Sequence, residues 1–297
     1  MHKILENYLE SQSLLGSKLS VWSLVVTIFG DAIVPRGGVL RLGALQQITD
    51  HIGISNNALR TAMSRLASDG WLERQRLGRA SFYNPSAMAA SENKEASDII
   101  YRFFPADWNG NWLFAVSTGS EGFCPANRAK LHLADFAFQN RKLAIAPDYR
   151  FSGEGNLNFN SAGISVFEAR SLGINNTNEL LDSLHFHHDC IELYRQFSVS
   201  AEKLLIELNK SREVSGLDAL LLRLLLLHQW RRIVLKDVRW PRELRSPDWP
   251  GFSAQSLIRE IYHRLLTPSE AWLSQLDATP EGLLPSAPET LIARFEH

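Results

Sequence analysis

The sequence predicts a multidomain α+β protein, and three observations carry that prediction. A helix–turn–helix pattern followed by a basic hairpin occupies the first part of the chain. Apolar runs of strand length alternate with a helical stretch in the middle, and long helical periodicities begin near Asn178. In chain order these give an N-terminal winged helix-turn-helix over residues 17–88, a connecting helix over 89–107, a central α+β domain over 108–176, a C-terminal all-helical domain over 177–276 and a tail over 277–297.

The N-terminal prediction starts from Gly53–Trp71. Gly53 supplies a turn, and Ser55 is a good N-cap because its hydroxyl accepts an orphan backbone N–H. Ala58, Leu59, Ala62, Met63 and Leu66 then fall on one helical stripe. The opposite face carries Asn56, Asn57, Arg60, Thr61, Ser64, Arg65 and Ser68, with two fixed positive charges and no acid. Upstream, Leu42, Leu45, Ile48 and Ile52 repeat at helical spacing, so two short helices meet at a glycine turn. Val21–Gly30 is apolar enough to be a buried support helix. After Gly70, alternating side chains on both sides of Leu77-Gly78 predict a β-hairpin.

Charge is concentrated on this module. The whole chain has net charge −1, yet Arg36 to Arg79 holds seven arginines against three acids. Arg74, Arg76 and Arg79 on the hairpin suit phosphate contacts, which position a protein without reading sequence. Arg60 and Arg65 suit guanine edges, and Asn56 or Asn57 adenine, in a major groove. The Pro35–Gly38 turn is expected to bring Arg36 to a phosphate. The expected DNA-binding set is therefore Arg36, Ser55, Asn56, Asn57, Arg60, Thr61, Ser64, Arg65, Arg74, Arg76 and Arg79. The alternative is a winged helix reused for protein contacts.

Ser86–Phe104 reads as a helix that begins polar and docks at its C-terminal turn, and Pro105–Asn111 as a turn cluster. Asn111–Thr118, Lys142–Arg150 and Gly163–Arg170 read as strands, and Pro125–Gln139 as a helix packed on one sheet face. Helices are expected at 180–209, 217–236, 252–266 and 269–276, with a rigid proline-rich turn at 240–251 and a loosely held tail. Cys124 and Cys190 form no CxxC pair. Neither a signal peptide nor a membrane span is found, so a soluble, cytoplasmic protein is expected.

The stretches FGDAIVPRGGVLRLGAL and NALRTAMSRL with DGWLERQRLGRASFY resemble the N-terminal domain of the PaaX family of phenylacetate-degradation repressors. The resemblance returns in LLLHQWRRIVLKDVRWPREL and DWPGFSAQSLIREIYHRLL, within Leu225–Leu266. It implies a homodimeric repressor that binds a double-stranded DNA operator and is released by an aryl-CoA thioester such as phenylacetyl-CoA. It also implies a ferredoxin-like central domain, related in shape to a CRISPR-associated nuclease subunit. Val116-Ser117 stands where that relative carries an acid, so no nuclease activity is carried over. A regulator of the same build that activates, or answers another acyl-CoA or metabolite, stays open, as does an enzyme acting on CoA esters.

For the effector, His228, Trp230, Arg231, Arg232 and Lys236 are the candidates. They open a run to Arg245 that holds six basic side chains against two acids, interleaved with Trp230 and Trp240. Guanidinium forks match phosphates and an indole stacks on a purine or aryl group. The competing account is ion pairing of Arg232 and Lys236 with acids near Glu179, Asp182 and Glu192. His185, His188 and Asp189 share a helical face at a metal-usable spacing, but no second ligand cluster accompanies them. They are read as helix-surface histidines, and no metal or cofactor is expected. No nucleophile elbow, Walker loop or dinucleotide fingerprint occurs, so the chain is not expected to be an enzyme, and Asp31 is read as a turn or capping residue.

Overall fold

The computed structural model describes residues 3–14, 19–102, 108, 110–148, 163–170, 187–238 and 240–296. Contacts divide the chain into two units. The first comprises Met1–Tyr101, Arg195–Arg232 and Ser253–His297, and the second Arg102–Tyr194 and Ile233–Phe252. The sequence had suggested consecutive domains. The C-terminal helices instead share their residues between the units, because their buried side chains bond to the N-terminal segment.

In the first unit, α1 (Lys3–Leu14) and α2 (Val21–Ile28) precede β1 (Leu40–Arg41), α3 (Leu42–Thr49) and α4 (Asn56–Ser68). The hairpin β2 (Leu72–Leu77) and β3 (Ala80–Pro85) follows, and β1, β3 and β2 form an antiparallel sheet in that order. α2 is the apolar support expected, with Leu24, Val25, Val26 and Ile28 buried. It continues into a π-helical turn over Phe29–Ile33, which carries Asp31 into the interior. Gly53 adopts φ 73°, the left-handed conformation that closes the turn before α4. Gly78, at φ 59°, opens the two-residue loop between Leu77 and Ala80. Helix α5 (Ala87–Tyr101) returns over this module and buries Ala89, Ile100 and Tyr101.

α7 (His187–Lys210), α8 (Gly216–Val234) and α9 (Gly251–Leu273) supply the remaining long helices, and a small hairpin joins β8 (Asp277–Thr279) to β9 (Gly282–Leu283). Two expectations are corrected here. α9 runs without a break through Pro268, where two helices had been expected. Burial of Leu265, Leu266 and Leu273 holds it, and the Ser269 hydroxyl donates to the Leu265 carbonyl at 2.6 Å, so packing overrides proline's local preference. The tail is not loose: Leu284, Leu291 and Phe295 are buried, and the Phe295 ring lies 5.2 Å from Tyr101 and 5.0 Å from Tyr262.

The second unit holds a four-stranded antiparallel sheet of β4 (Asn111–Ser117), α6 (Pro125–Leu133) beside it, then β5 (Ala137–Phe138), β6 (Leu143–Pro147) and β7 (Ile164–Arg170), in the order β5-β6-β4-β7. The helix expected to reach residue 139 ends at Leu133. Asp135 takes φ 57°, a left-handed conformation that aspartate tolerates, and the chain turns into β5. Helix α6 packs on one sheet face, and Val238, Trp240 and Leu244 cover the other. Alternation along β4 sends Leu113 and Ala115 into a cluster with Leu131 and Phe136, and Trp112 into another with Val238, Trp240 and Leu244.

Candidate nucleic-acid interface

Helix α4 is built as its pattern demands. Ser55 caps it, its hydroxyl accepting the Ala58 N–H at 3.2 Å, and Leu59, Ala62, Met63 and Leu66 are buried. Asn56, Asn57, Arg60, Thr61, Ser64 and Arg65 all remain exposed on the other face. Thr61 turns its hydroxyl onto the Asn57 carbonyl at 2.8 Å, so its proton is already committed within the helix. The hairpin is held at its base by buried Leu72, Phe82 and Tyr83, with the Trp71 and Phe29 rings edge to face at 6.3 Å. Its outer part is open: Arg74, Arg76 and Arg79 are exposed. Arg74 donates to the Ser81 hydroxyl at 2.9 Å and Arg76 to the Gly78 carbonyl at 3.3 Å, neutral contacts, and among the described residues neither meets an acid.

These elements enclose a surface concavity of about 800 Å³. Asn56, Arg60 and Ser64 line it from α4, Arg74 and Arg79 from the hairpin, and Arg41 and Gln46 from β1 and α3. The sequence reading missed Arg41 and Gln46. The place of Arg41 depends on β1 pairing with β3, Arg41 opposite Phe82. Among the arginines of the concavity Arg41 is the one in an ion pair among the described residues, with Asp277 at 2.9 Å. Arg65, Asn57 and Arg76 are exposed but do not line the concavity. A cationic hollow flanked by amide and hydroxyl donors can take a polyanion whose backbone follows the hairpin and whose edges meet the helix.

Arg36 is a correction. Its side chain is buried, pairs with Glu270 and donates to the Pro285 carbonyl at 3.1 Å. It faces the interior because the turn after Asp31 points into the α8–α9 side of the first unit, so it is not available to a phosphate. Asp31 is likewise no simple turn residue. Arg223 meets its Oδ2 at 2.9 Å and Arg294 its Oδ1 at 2.8 Å. The hydroxyls of Tyr101 and Tyr262 each donate to Oδ1 at 2.8 Å. Burial alone would raise the Asp31 pKa, but the two guanidinium groups and the two hydroxyls outweigh it and hold the carboxyl below its ordinary value. Burial, then the Asp31 charge, pushes Tyr262 up to about 12.

The expected effector residues separate. His228 is buried, its Nδ1 3.0 Å from the Thr27 hydroxyl, and burial followed by the charges of Arg231 and Arg232 lowers its pKa to about 3. Trp230 is buried and donates its indole N–H to the Ile100 carbonyl at 2.9 Å, so its face is not free to stack on a ligand. Arg231 is partly buried, while Arg232 and Lys236 are exposed. In the second unit Trp240 is fully buried and donates to the Asp135 carbonyl at 2.9 Å. There Arg245 pairs with Asp237 at 3.2 Å and stacks 3.9 Å over Trp249. Much of the basic run is thus structural. His185, Glu179 and Asp182 lie outside the described residues, as does the side-chain environment of His188 and Asp189. Among the described residues no group of metal-ligating side chains gathers, and no helix is long and apolar enough to cross a membrane.

Comparison with known proteins agrees with the distribution of these features along the chain. Residues 20–89 match the family described as PaaX-like protein, and residues 187–275 the PaaX-like protein C-terminal domain. The chain is 29% identical over 282 residues to "Transcriptional repressor PaaX" of Escherichia coli (strain K12), covering 92% of this chain and 89% of that protein. Its fold is similar to the solved structure titled "Uncharacterized protein Rv0674 from Mycobacterium tuberculosis", with a TM-score of 0.50 and 19% identity over 77% of this chain and 89% of that one.

Proposed function

The chain belongs to the PaaX-like family, and from that premise we propose that it is a cytoplasmic transcriptional repressor that binds operator DNA through the first unit. The relative in Escherichia coli named as a transcriptional repressor supports the class. The observation that carries the reading is the concavity in which Asn56, Arg60 and Ser64 of α4 stand beside Arg74 and Arg79 of the hairpin. On this reading α2–α4 and β1–β3 are a winged helix-turn-helix. The N-terminal turns of α4 meet base edges in the major groove, and the hairpin is the wing along a phosphate backbone. The strand order of the second unit supports a ferredoxin-like domain there.

Two-fold operators are read by two-fold proteins, so the working form is a homodimer. The family resemblance supports an aryl-CoA thioester such as phenylacetyl-CoA as the releasing effector. Such a ligand acts only if it binds the DNA-incompetent arrangement better than the competent one. Arg232 of the first unit is exposed, and its guanidinium suits a phosphate of such a ligand.

Fluorescence anisotropy on DNA from upstream of the chain's own gene tests the reading. The wild type should bind that DNA well above random duplex, and Arg60→Ala should narrow that preference. Equal affinity for both duplexes would remove the operator from the account. Release by phenylacetyl-CoA but not by free coenzyme A is the expected effector result.

A further inference from the structure

Behind the DNA-facing module the first unit contains a cavity of about 130 Å³. Trp71, Ile100, Tyr101 and Leu227 supply its apolar and aromatic walls, and Asn93 and Arg231 polar ones. We propose that this cavity is a binding site for a small carboxylate bearing a single ring, with Arg231 taking the carboxylate.

The argument begins with how arginines are neutralised in this chain. Buried Arg36, Arg223 and Arg245 and partly buried Arg294 each meet an aspartate or glutamate. Arg231 meets none among the described residues. Its Nη1 donates to the Ser23 carbonyl and the Thr27 hydroxyl, both at 3.2 Å, and its other nitrogens have no protein acceptor there. A partly buried cation held only by neutral oxygens among the described residues is an incomplete arrangement, and a bound anion completes it. Burial lowers the Arg231 pKa, in keeping with an uncompensated charge.

The other acids on the cavity do not compete for it. Asp31 is committed to Arg223 and Arg294, and Glu92 is exposed to solvent, where its charge is screened. The surrounding interior also favours an anion, since Arg36, Arg223 and Arg294 outnumber Asp31 and Glu270. Size selects the ligand class: a cavity of roughly 150 Å³ accommodates one benzene-sized ring. A coenzyme A thioester is far larger, and its acyl carbonyl carries no charge for the guanidinium. The proposal therefore concerns a ligand other than the releasing thioester and does not rest on operator binding.

Isothermal titration of the full chain with benzoate, and with benzamide as its uncharged counterpart, tests it. Benzoate should bind saturably and benzamide about tenfold more weakly or worse. Arg231→Gln should weaken benzoate at least about tenfold. Ala96→Leu, which fills the cavity from α5 and keeps Arg231, should do the same, so the expectation does not hang on one variant. No saturable benzoate binding up to roughly 10 mM, equal binding of benzamide, or indifference to both substitutions would overturn the site. Operator binding measured on the same samples separates the two ideas, because DNA binding without benzoate binding removes only the cavity ligand.

Discussion

Two sets of arginines in the first unit differ in what neutralises them. Arg60, Arg74 and Arg79 are exposed along the concavity of α4 and the hairpin, with no carboxylate partner among the described residues. Arg36, Arg223 and Arg294 surround Asp31 and Glu270 in the interior. The side chain is the same, and the partner decides its use. An exposed guanidinium without an acid is available to a phosphate or base, whereas one locked to a buried carboxylate holds helices together.

The buried set should give the largest effect. Asp31→Asn leaves Arg223 and Arg294 without their charge partner, and the unfolding free energy in urea should fall by about 3–5 kcal/mol. A change below about 1 kcal/mol would erase the contrast, since the interior cluster would then matter no more than a surface pair. Acid should act on the same interior. The folded pKa of His228 lies near 3, below its unfolded value, so the unfolded chain takes up the proton first. Stability should be level above about pH 6.5 and decline as pH falls toward 3, with His228→Gln flattening that decline. Asp31 adds its own loss once pH falls through the ordinary aspartate value of about 3.9, because its folded carboxyl is held lower and the unfolded chain takes up that proton first.

The exposed set should show the reverse pattern. Arg60→Ala should cost about 1–3 kcal/mol of operator affinity and leave urea unfolding unchanged. Arg79→Ala should weaken specific and random DNA alike and reduce the salt slope of binding by about one. If Arg79→Ala instead altered which sequence is preferred, hairpin and helix would have to exchange roles. Ser55→Ala should be smallest, about 1 kcal/mol of stability through the lost cap, and thermal unfolding would detect it.

The exposed face was legible in the sequence because its evidence is local. The cap at Ser55, the apolar stripe through Leu66, the acid-free opposite face and the Leu77-Gly78 turn all lie within one short segment. The interior was illegible for the opposite reason. Arg36 looked like a phosphate ligand in its PRGG turn, yet Glu270 and Pro285, its partners, lie far along the chain. Trp230 and Trp240 looked like stacking platforms in a basic run, but each is buried with its indole N–H on a distant carbonyl. Pro268 read as a helix break because its local preference is strong, and packing reversed it.

Sequence by itself determined the helices and hairpin of the α2–β3 module and the placement of its charge, since periodicity, capping and turn chemistry act over a few residues. Tertiary structure alone decided which arginines are neutralised, that Asp31 is their hub, and that the tail is packed. Those outcomes depend on contacts across some two hundred residues, where burial makes an unpaired charge costly and long-range packing selects its partner.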